Sequence, residues 1–310
     1  MWIDEYNRLM FKPINNHAET IHAVNIKNQN MPDIVYKYRA VTPHTINALE
    51  NGFLIASSPS NLNDPNEGRM FIDYKNRWKL IYQGFINTFY EKTGFRIAVE
   101  INEYEERDGF ILRLLESLSI PEEHYAAWIR IWKFTDKLLQ DKLKEYQNDL
   151  IEINDELHRI CSFSEIRNST LLWAHYADQS KGFCIGYNFK ELKNDLTELL
   201  LPVRYSDSLI EVDDTFFEGQ DINKSFLINS LTLKSSDWQY EKEWRLLLLA
   251  EKSEKMQRVQ LPVPKEIILG LNITSENQAR LIDIANTNNI ICHKVEKGSN
   301  SFQFKFEKLN

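Results

Sequence analysis

The chain is poor in cysteine. Cys161, Cys184 and Cys292 are unclustered and odd in number, which argues against a disulfide framework or a cysteine-built zinc site. Positive charge is also in short supply: 37 Lys and Arg stand against 45 Asp and Glu, a formal net charge of -8. That argues against general binding to a phosphate backbone, although a local basic groove is compatible with it. No apolar run is long enough to span a bilayer. The opening Met1-Trp2-Ile3-Asp4-Glu5-Tyr6 lacks the basic-then-apolar pattern of a signal peptide, so the expectation is a cytoplasmic chain with no membrane partner. Several familiar signatures are missing: the G-x-x-x-x-G-K-[ST] loop, G-x-G-x-x-G, G-x-S-x-G, H-E-x-x-H and paired C-x-x-C.

Hydrophobic residues make up 43% of the 310 positions and aromatics 12%, enough for a sizeable core. Residues 1–33 are polar and Asn-rich and read as an arm or peripheral helix. The rest reads as a single domain over 34–310. Ile34 to Arg39 has strand composition. Thr42-Pro43 opens a helix that Asn51-Gly52 closes, and Phe53 to Ala56 is a second short strand. Ser57 to Gly68 is a turn-rich loop. From about 76 to 160 the chain reads as a helical insertion, with Leu139, Leu143, Tyr146, Leu150, Ile153 and Leu157 at alternating four and three spacing. This seam serves either core packing or a lid or homodimer contact. Cys161 to Ser164, Gly182 to Tyr187, Leu201 to Tyr205, Ile267 to Gly270, Ile290 to Val295 and Phe302 to Phe306 read as strands. Asn168 to Asp178, 223–234 and Thr274 to Asn286 read as helices. Many short strands without regular strand–helix alternation predict an α+β fold with a mixed or antiparallel core.

Four groups of residues carry chemical potential. Trp238 to Arg245 runs into Leu246-Leu247-Leu248-Leu249, a buried strand by its composition. Strand alternation puts Glu241, Glu243 and Arg245 on one face and Tyr240, Lys242, Trp244 and Leu246 on the other. Paired carboxylates there suit stabilisation of an oxocarbenium-like centre, sugar hydroxyls or a divalent metal, while a structural Glu–Arg network is the plainer alternative. Tyr36-Lys37-Tyr38-Arg39 offers an Arg able to grip a phosphate or, more simply, to pair with a surface acid. Asn63-Asp64-Pro65 with Glu67 is either a rigid turn or a cleft-lining loop. Trp173 to Asp178, followed by Gly182 to Tyr187, offers a Tyr for ring stacking, with His175 pointing elsewhere, or a packed helix face.

These groups in this order resemble a bacterial family catalogued as domain of unknown function 2971. The resemblance rests on Lys37-Tyr38-Arg39, Ser57-Ser58-Pro59, Asn63-Asp64-Pro65 with Glu67-Gly68, and Cys161 to Glu165. It continues through Trp173, Tyr176, Ala177, Gly182 to Gly186, and Tyr240-Glu241 to Arg245. It covers about 34–250. A weaker likeness is to ADP-ribosyltransferase folds, whose two-sheet core carries a His or Arg on the first strand, a Ser or Tyr near a middle strand and a Glu on a late one. No His-x-Thr or Ser-Thr-Ser motif is present, and the helical insertion is large.

That second resemblance implies NAD as substrate, with transfer of ADP-ribose or hydrolysis of NAD, in a toxin-like or phage-defence effector. It implies Glu243 as the catalytic acid, Glu241 as its accessory, and Tyr176 as the middle residue, with Ser57 and Ser164 as rivals. Arg39, Tyr38, Ser57, Asn63, Asp64 and His175 would contact the nucleotide, and the acceptor would be a protein or a nucleic acid. No metal is implied. Two other readings stay open. One is a metal-dependent hydrolase or nuclease using Asp64, Glu67, Glu241, Glu243 and His175. The other is a ligand-binding or sensor module without chemistry.

Overall fold

The computed structural model describes residues 1–11, 17–73, 107–191, 195–212, 224–251 and 254–310; between 78 and 99 it describes 78–79, 82–83, 86–87, 90–92, 94, 96 and 99. The fold is mixed α+β. The described strands are β1 (Val35–Arg39), β2 (Phe53–Ser57), β3 (Met70–Phe71), β4 (His158–Ser164), β5 (Phe183–Tyr187), β6 (Leu200–Pro202), β7 (Arg204–Tyr205), β8 (Ile210–Glu211), β9 (Leu233–Lys234), β10 (Glu243–Leu249), β11 (Met256–Gln260), β12 (Glu266–Leu269), β13 (Ile291–Lys297) and β14 (Phe304–Lys308). The chain divides into two compact units.

The first unit comprises Met1–Arg69, Glu152–Ile210 and Thr215–Asn310. Its main sheet runs β11-β2-β4-β1-β5-β12-β13-β14, with β10 paired to β4 and β6 paired to β10. The strands pair antiparallel except β12 with β13, which are parallel and joined through the helix Ser275–Thr287. The expected two-sheet core is therefore one branched sheet. β4, seven residues long and nearly all buried, supplies the branch point. One of its edges pairs with β10 along its whole length, from Glu243↔Ser164 to Leu249↔His158. The other edge is shared: Ser57 of β2 sits opposite Ile160, and Tyr36 of β1 sits opposite Ser164. Between those two points β1 and β2 part from each other.

Both faces of the sheet are covered. On one face Val35, Leu54, Phe163, Phe183, Trp244, Leu246 and Ile267 pack with Ile46 and Leu49 of the helix Pro43–Glu50 and with Leu281, Ile284 and Ala285. On the other, Tyr36, Tyr38, Cys184 and Ile268 pack against Leu172, Trp173 and Ala177. The helix Pro43–Glu50 starts as the sequence predicts: Thr42 caps it, and Thr45 completes a reciprocal capping box. The N-terminal arm forms two helices, Trp2–Met10 and His17–Asn30. Trp2 stacks on Trp244 at 6.2 Å.

One boundary differs from the expectation, and one strand is new. Helix does not extend to 160: it ends at Leu157 and β4 begins at His158. The cause is Arg159, whose buried guanidinium donates to the carbonyls of Asp155, Glu156 and His158 and so satisfies the helix end. The strand β11 is an addition that the sequence reading missed, because Met256-Gln257-Arg258-Val259-Gln260 is a polar edge strand paired to β2 on one side.

The second unit comprises Met70–Ile151 and Glu211–Asp214. Its described helices are Arg107–Ser117 and the larger part of Tyr125–Leu157. Trp78, Tyr82, Phe110, Ile111, Leu114 and Leu115 form its core, and Tyr82 and Trp132 approach to 4.7 Å. Much of the predicted helical stretch from 76 to 106 lies outside the described residues. Along the predicted seam Leu150 is buried, Leu139, Leu143, Tyr146 and Ile153 are half-buried, and Leu157 is exposed.

Candidate functional site

The parting of β1 and β2 opens a cavity of about 280 Å³. Its lining brings together Tyr38 and Arg39 of β1, Ser57 of β2, Asn63 of the following loop, Ser162 and Ser164 of β4, Tyr176, Lys234, Glu241 and Glu243. Seven of the residues expected at a site thus converge: Tyr38, Arg39, Ser57, Asn63, Tyr176, Glu241 and Glu243. Two do not. Asp64 is buried beside a neighbouring cavity lined by Asn66, Arg69 and Ser206 to Ser208, and its carboxylate caps the Asn66 N–H at 2.9 Å. His175 is exposed on the helix Thr170–Tyr176, its ring 6.4 Å from that of Tyr240. The helical turn that aims Tyr176 at the cavity turns the preceding residue outward.

The expected strand through Trp238 to Arg245 is only half right. Ser236–Glu241 is a 3-10 turn, Lys242 takes a left-handed conformation at φ 43°, and the strand begins at Glu243. The Ser164 hydroxyl donates to the Glu241 carbonyl at 2.6 Å and pins the turn. Despite the kink, both acids reach the same ammonium. Lys234 Nζ donates to Glu241 Oε2 at 2.6 Å and to Glu243 Oε2 at 3.1 Å.

Arg245 extends the network. Its Nε donates to Glu243 Oε1 at 2.9 Å, its Nη2 to Glu67 Oε2 at 2.9 Å, and its Nη1 to Glu67 Oε1 and to the Leu231 carbonyl. All five charged side chains are buried. Burial alone would disfavour every charge in the set. Burial opposes ionisation of Glu243, but Arg245 and then Lys234 outweigh it and hold the carboxyl at about 2. For Glu67 burial wins, and its carboxyl is pushed up despite Arg245. Burial works against the Lys234 ammonium too, yet Glu243 and Glu241 carry its pKa above the ordinary value.

At the cavity end the network becomes neutral. The Tyr176 hydroxyl donates to Glu241 Oε1 at 2.5 Å and accepts from Asn63 Nδ2 at 2.7 Å. Burial, reinforced by Glu241, raises the phenol and keeps it a donor. The segment after Tyr176 is tightly turned: Asp178, Gln179 and Ser180 all have positive φ. It ends at Gly182, where a Cβ would lie 2.1 Å from the Arg39 carbonyl oxygen. That close approach, anticipated from the glycine, docks β5 on β1 behind Arg39.

Lys234 is the residue the sequence reading missed. A Lys at the end of Leu231-Thr232-Leu233-Lys234, seven positions before Glu241, was the available signal. Lys37 lies in the Tyr36-Lys37-Tyr38-Arg39 motif and lines the cavity beside Arg39. The donor set of a metal-dependent hydrolase does not assemble. Lys234 and Arg245 stand among Glu67, Glu241 and Glu243, Asp64 and His175 lie elsewhere, and no cluster of three potential metal ligands occurs among the described residues.

The fold and site define an α+β protein with a polar cavity where three strands of one sheet diverge, walled by a buried ion network. Residues 172–246, which contain Tyr176, Lys234, Glu241, Glu243 and Arg245, match the family model described as a protein of unknown function, DUF2971. No curated protein and no solved structure matches the chain significantly.

Proposed function

We propose that the cavity binds NAD and that the chain transfers its ADP-ribose to an acceptor or to water. The observation that carries this reading is that Arg39, Tyr176, Glu241 and Glu243, widely separated in sequence, line one cavity. In the reaction the bond between nicotinamide and ribose breaks, and its electron pair leaves with nicotinamide. The ribose carbon then takes a lone pair from the acceptor, and the acceptor's proton passes to a carboxylate.

Positive charge builds on the ribose, so a nearby carboxylate lowers the barrier. Glu243 is held by two cations and has little charge left to offer. Glu241 is touched by one cation and one neutral hydroxyl. Glu241 is therefore the better placed to face the ribose, and Glu243 acts by positioning Lys234. Tyr176 supplies a ring for nicotinamide and orients Glu241. Arg39 meets the diphosphate or the distal ribose.

Incubation with NAD labelled in its ADP-ribose part is the test. Free nicotinamide or a labelled product is expected from the native chain, and a loss of at least about a hundredfold in Glu241→Gln. If the native chain yields neither, the reading is wrong. The complete internal pairing of Glu67, Glu241 and Glu243 favours one second reading, a nucleotide-binding module without turnover; it predicts NAD binding with no nicotinamide release.

A further inference from the structure

The β1 wall of the cavity carries two cations without ion-paired acids of their own. Lys37 and Arg39 lie two residues apart on β1, hence on one face of the strand, and both are half-buried in the lining. Lys37 Nζ donates to the Ser162 carbonyl at 2.6 Å and stands 5.8 Å from the centre of the Phe163 ring. That carbonyl belongs to β4 in the interval where β1 and β2 diverge. Neither Lys37 nor Arg39 makes an ion pair among the described residues, although each sits in a cavity wall that also contains Glu241 and Glu243.

Those acids are already occupied. Lys234 and Arg245 serve Glu241, Glu243 and Glu67. Three cations and two acids therefore line one small cavity, and the excess positive charge lies on the β1 side. An ammonium beside a guanidinium, with Ser57 of β2 in the same lining, suits an oxyanion with several oxygens. The overall charge of -8 disfavours a long polyphosphate chain and leaves a small phosphorylated ligand as the fitting class.

We propose that Lys37 and Arg39 form a subsite for a phosphoryl group of the ligand, at the point where β1 and β2 part from β4. The subsite shares its cavity with the NAD reading but rests on charge and geometry rather than on any step of that reaction. Lys37 is then a binding residue in its own right, beside Arg39.

The surroundings of Lys37 give the subsite a pH signature. Burial lowers its ammonium to about 8; Arg39 on the same strand adds to the fall, while Cys161 of β4, Glu243 of β10 and Glu241 oppose it. A bound anion favours the protonated form, so affinity falls as pH rises through that value. Arginine at the same position stays charged throughout.

The test is calorimetric titration of the full chain with inorganic pyrophosphate and, separately, with ADP. Both probes are expected to bind. Lys37→Met and Arg39→Gln should each weaken binding about tenfold, as expected for loss of one charge-assisted hydrogen bond. Lys37→Arg should stay within about threefold of the native chain at pH 7. Between pH 7 and 9 the native affinity should fall relative to that of Lys37→Arg, a ratio that cancels the titration of the probe itself. Thermal melts check that each variant folds. If Lys37→Met does not fold, the ratio between the native chain and Lys37→Arg decides alone.

Failure of both probes to bind overturns the proposal, as does equal binding by the native chain and a folded Lys37→Met, or a pH-independent ratio. Pyrophosphate captured through Lys37 without nicotinamide release from NAD would leave the subsite standing and remove the NAD reading.

Discussion

Replacing Glu243 with glutamine should unsettle the fold before it reports on any reaction. The carboxylate accepts from Arg245 Nε at 2.9 Å, from Arg245 Nη2 at 3.2 Å and from Lys234 Nζ at 3.1 Å. Its pKa falls from 4.5 to about 2, with burial opposing the fall and Arg245 and Lys234 driving it. At about 1.36 kcal/mol for each tenfold change, that fall corresponds to roughly 3 kcal/mol of stability from ionised Glu243. A carboxyl held low in the folded state contributes fully above its unfolded value. The contribution is lost as pH drops toward the folded value. The native chain should therefore exceed Glu243→Gln by about 3 kcal/mol in urea unfolding at pH 7, and the gap should close between pH 4.5 and about 2. Glu241→Gln should cost less, about 1–2 kcal/mol, because one of its two side-chain partners is a neutral hydroxyl. Equal stability of Glu243→Gln and the native chain at pH 7, or a gap that persists unchanged in acid, would refute the network as drawn.

Other perturbations probe other parts of the site. Arg245→Met leaves Glu67 and Glu243 buried without their shared guanidinium, and urea unfolding should show a loss of about 3–5 kcal/mol. Tyr176→Phe removes the hydroxyl between Asn63 and Glu241, and urea unfolding should show a stability loss near 1 kcal/mol; under the proposed NAD reading, nicotinamide release should fall as well. Gly182→Ala drives a methyl into the Arg39 carbonyl, and should lower the thermal midpoint through an overpacking cost of about 1–3 kcal/mol or more.

Much of this was legible in the sequence because local physics coincided with the fold. Thr42-Pro43 and Asn51-Gly52 bracket a helix by cap chemistry alone, and the structure keeps both ends. Gly182 announced a close backbone approach that the Arg39 carbonyl makes. The site was legible where motif residues lie on or near β-strands, as with Arg39, Ser57 and Glu243. It was less so where position depends on a turn. Strand alternation put Glu241 and Glu243 on one face, but a left-handed Lys242 carries Glu241 there instead. Lys234 stayed hidden because its meaning lies in two acids seven and nine residues away, across a 3-10 turn that no periodicity reports. Asp64 looked equivalent to Asn63, yet adjacent residues in a tight loop face different cavities.

The branching of β4 also sets the order in which the chain can assemble. Ser57 meets Ile160, so roughly 100 residues must loop out before β2 can join β4. Closing a flexible loop of that length costs roughly 4 kcal/mol in chain entropy beyond a constant term, and no strand contact offsets this in advance. Most of that loop is the second unit, with a core of its own around Phe110 and Leu114. A segment that condenses first shortens the chain that remains to be closed. Non-local pairing of this kind slows folding, so the speed with which the cavity forms should depend on how early the second unit collapses.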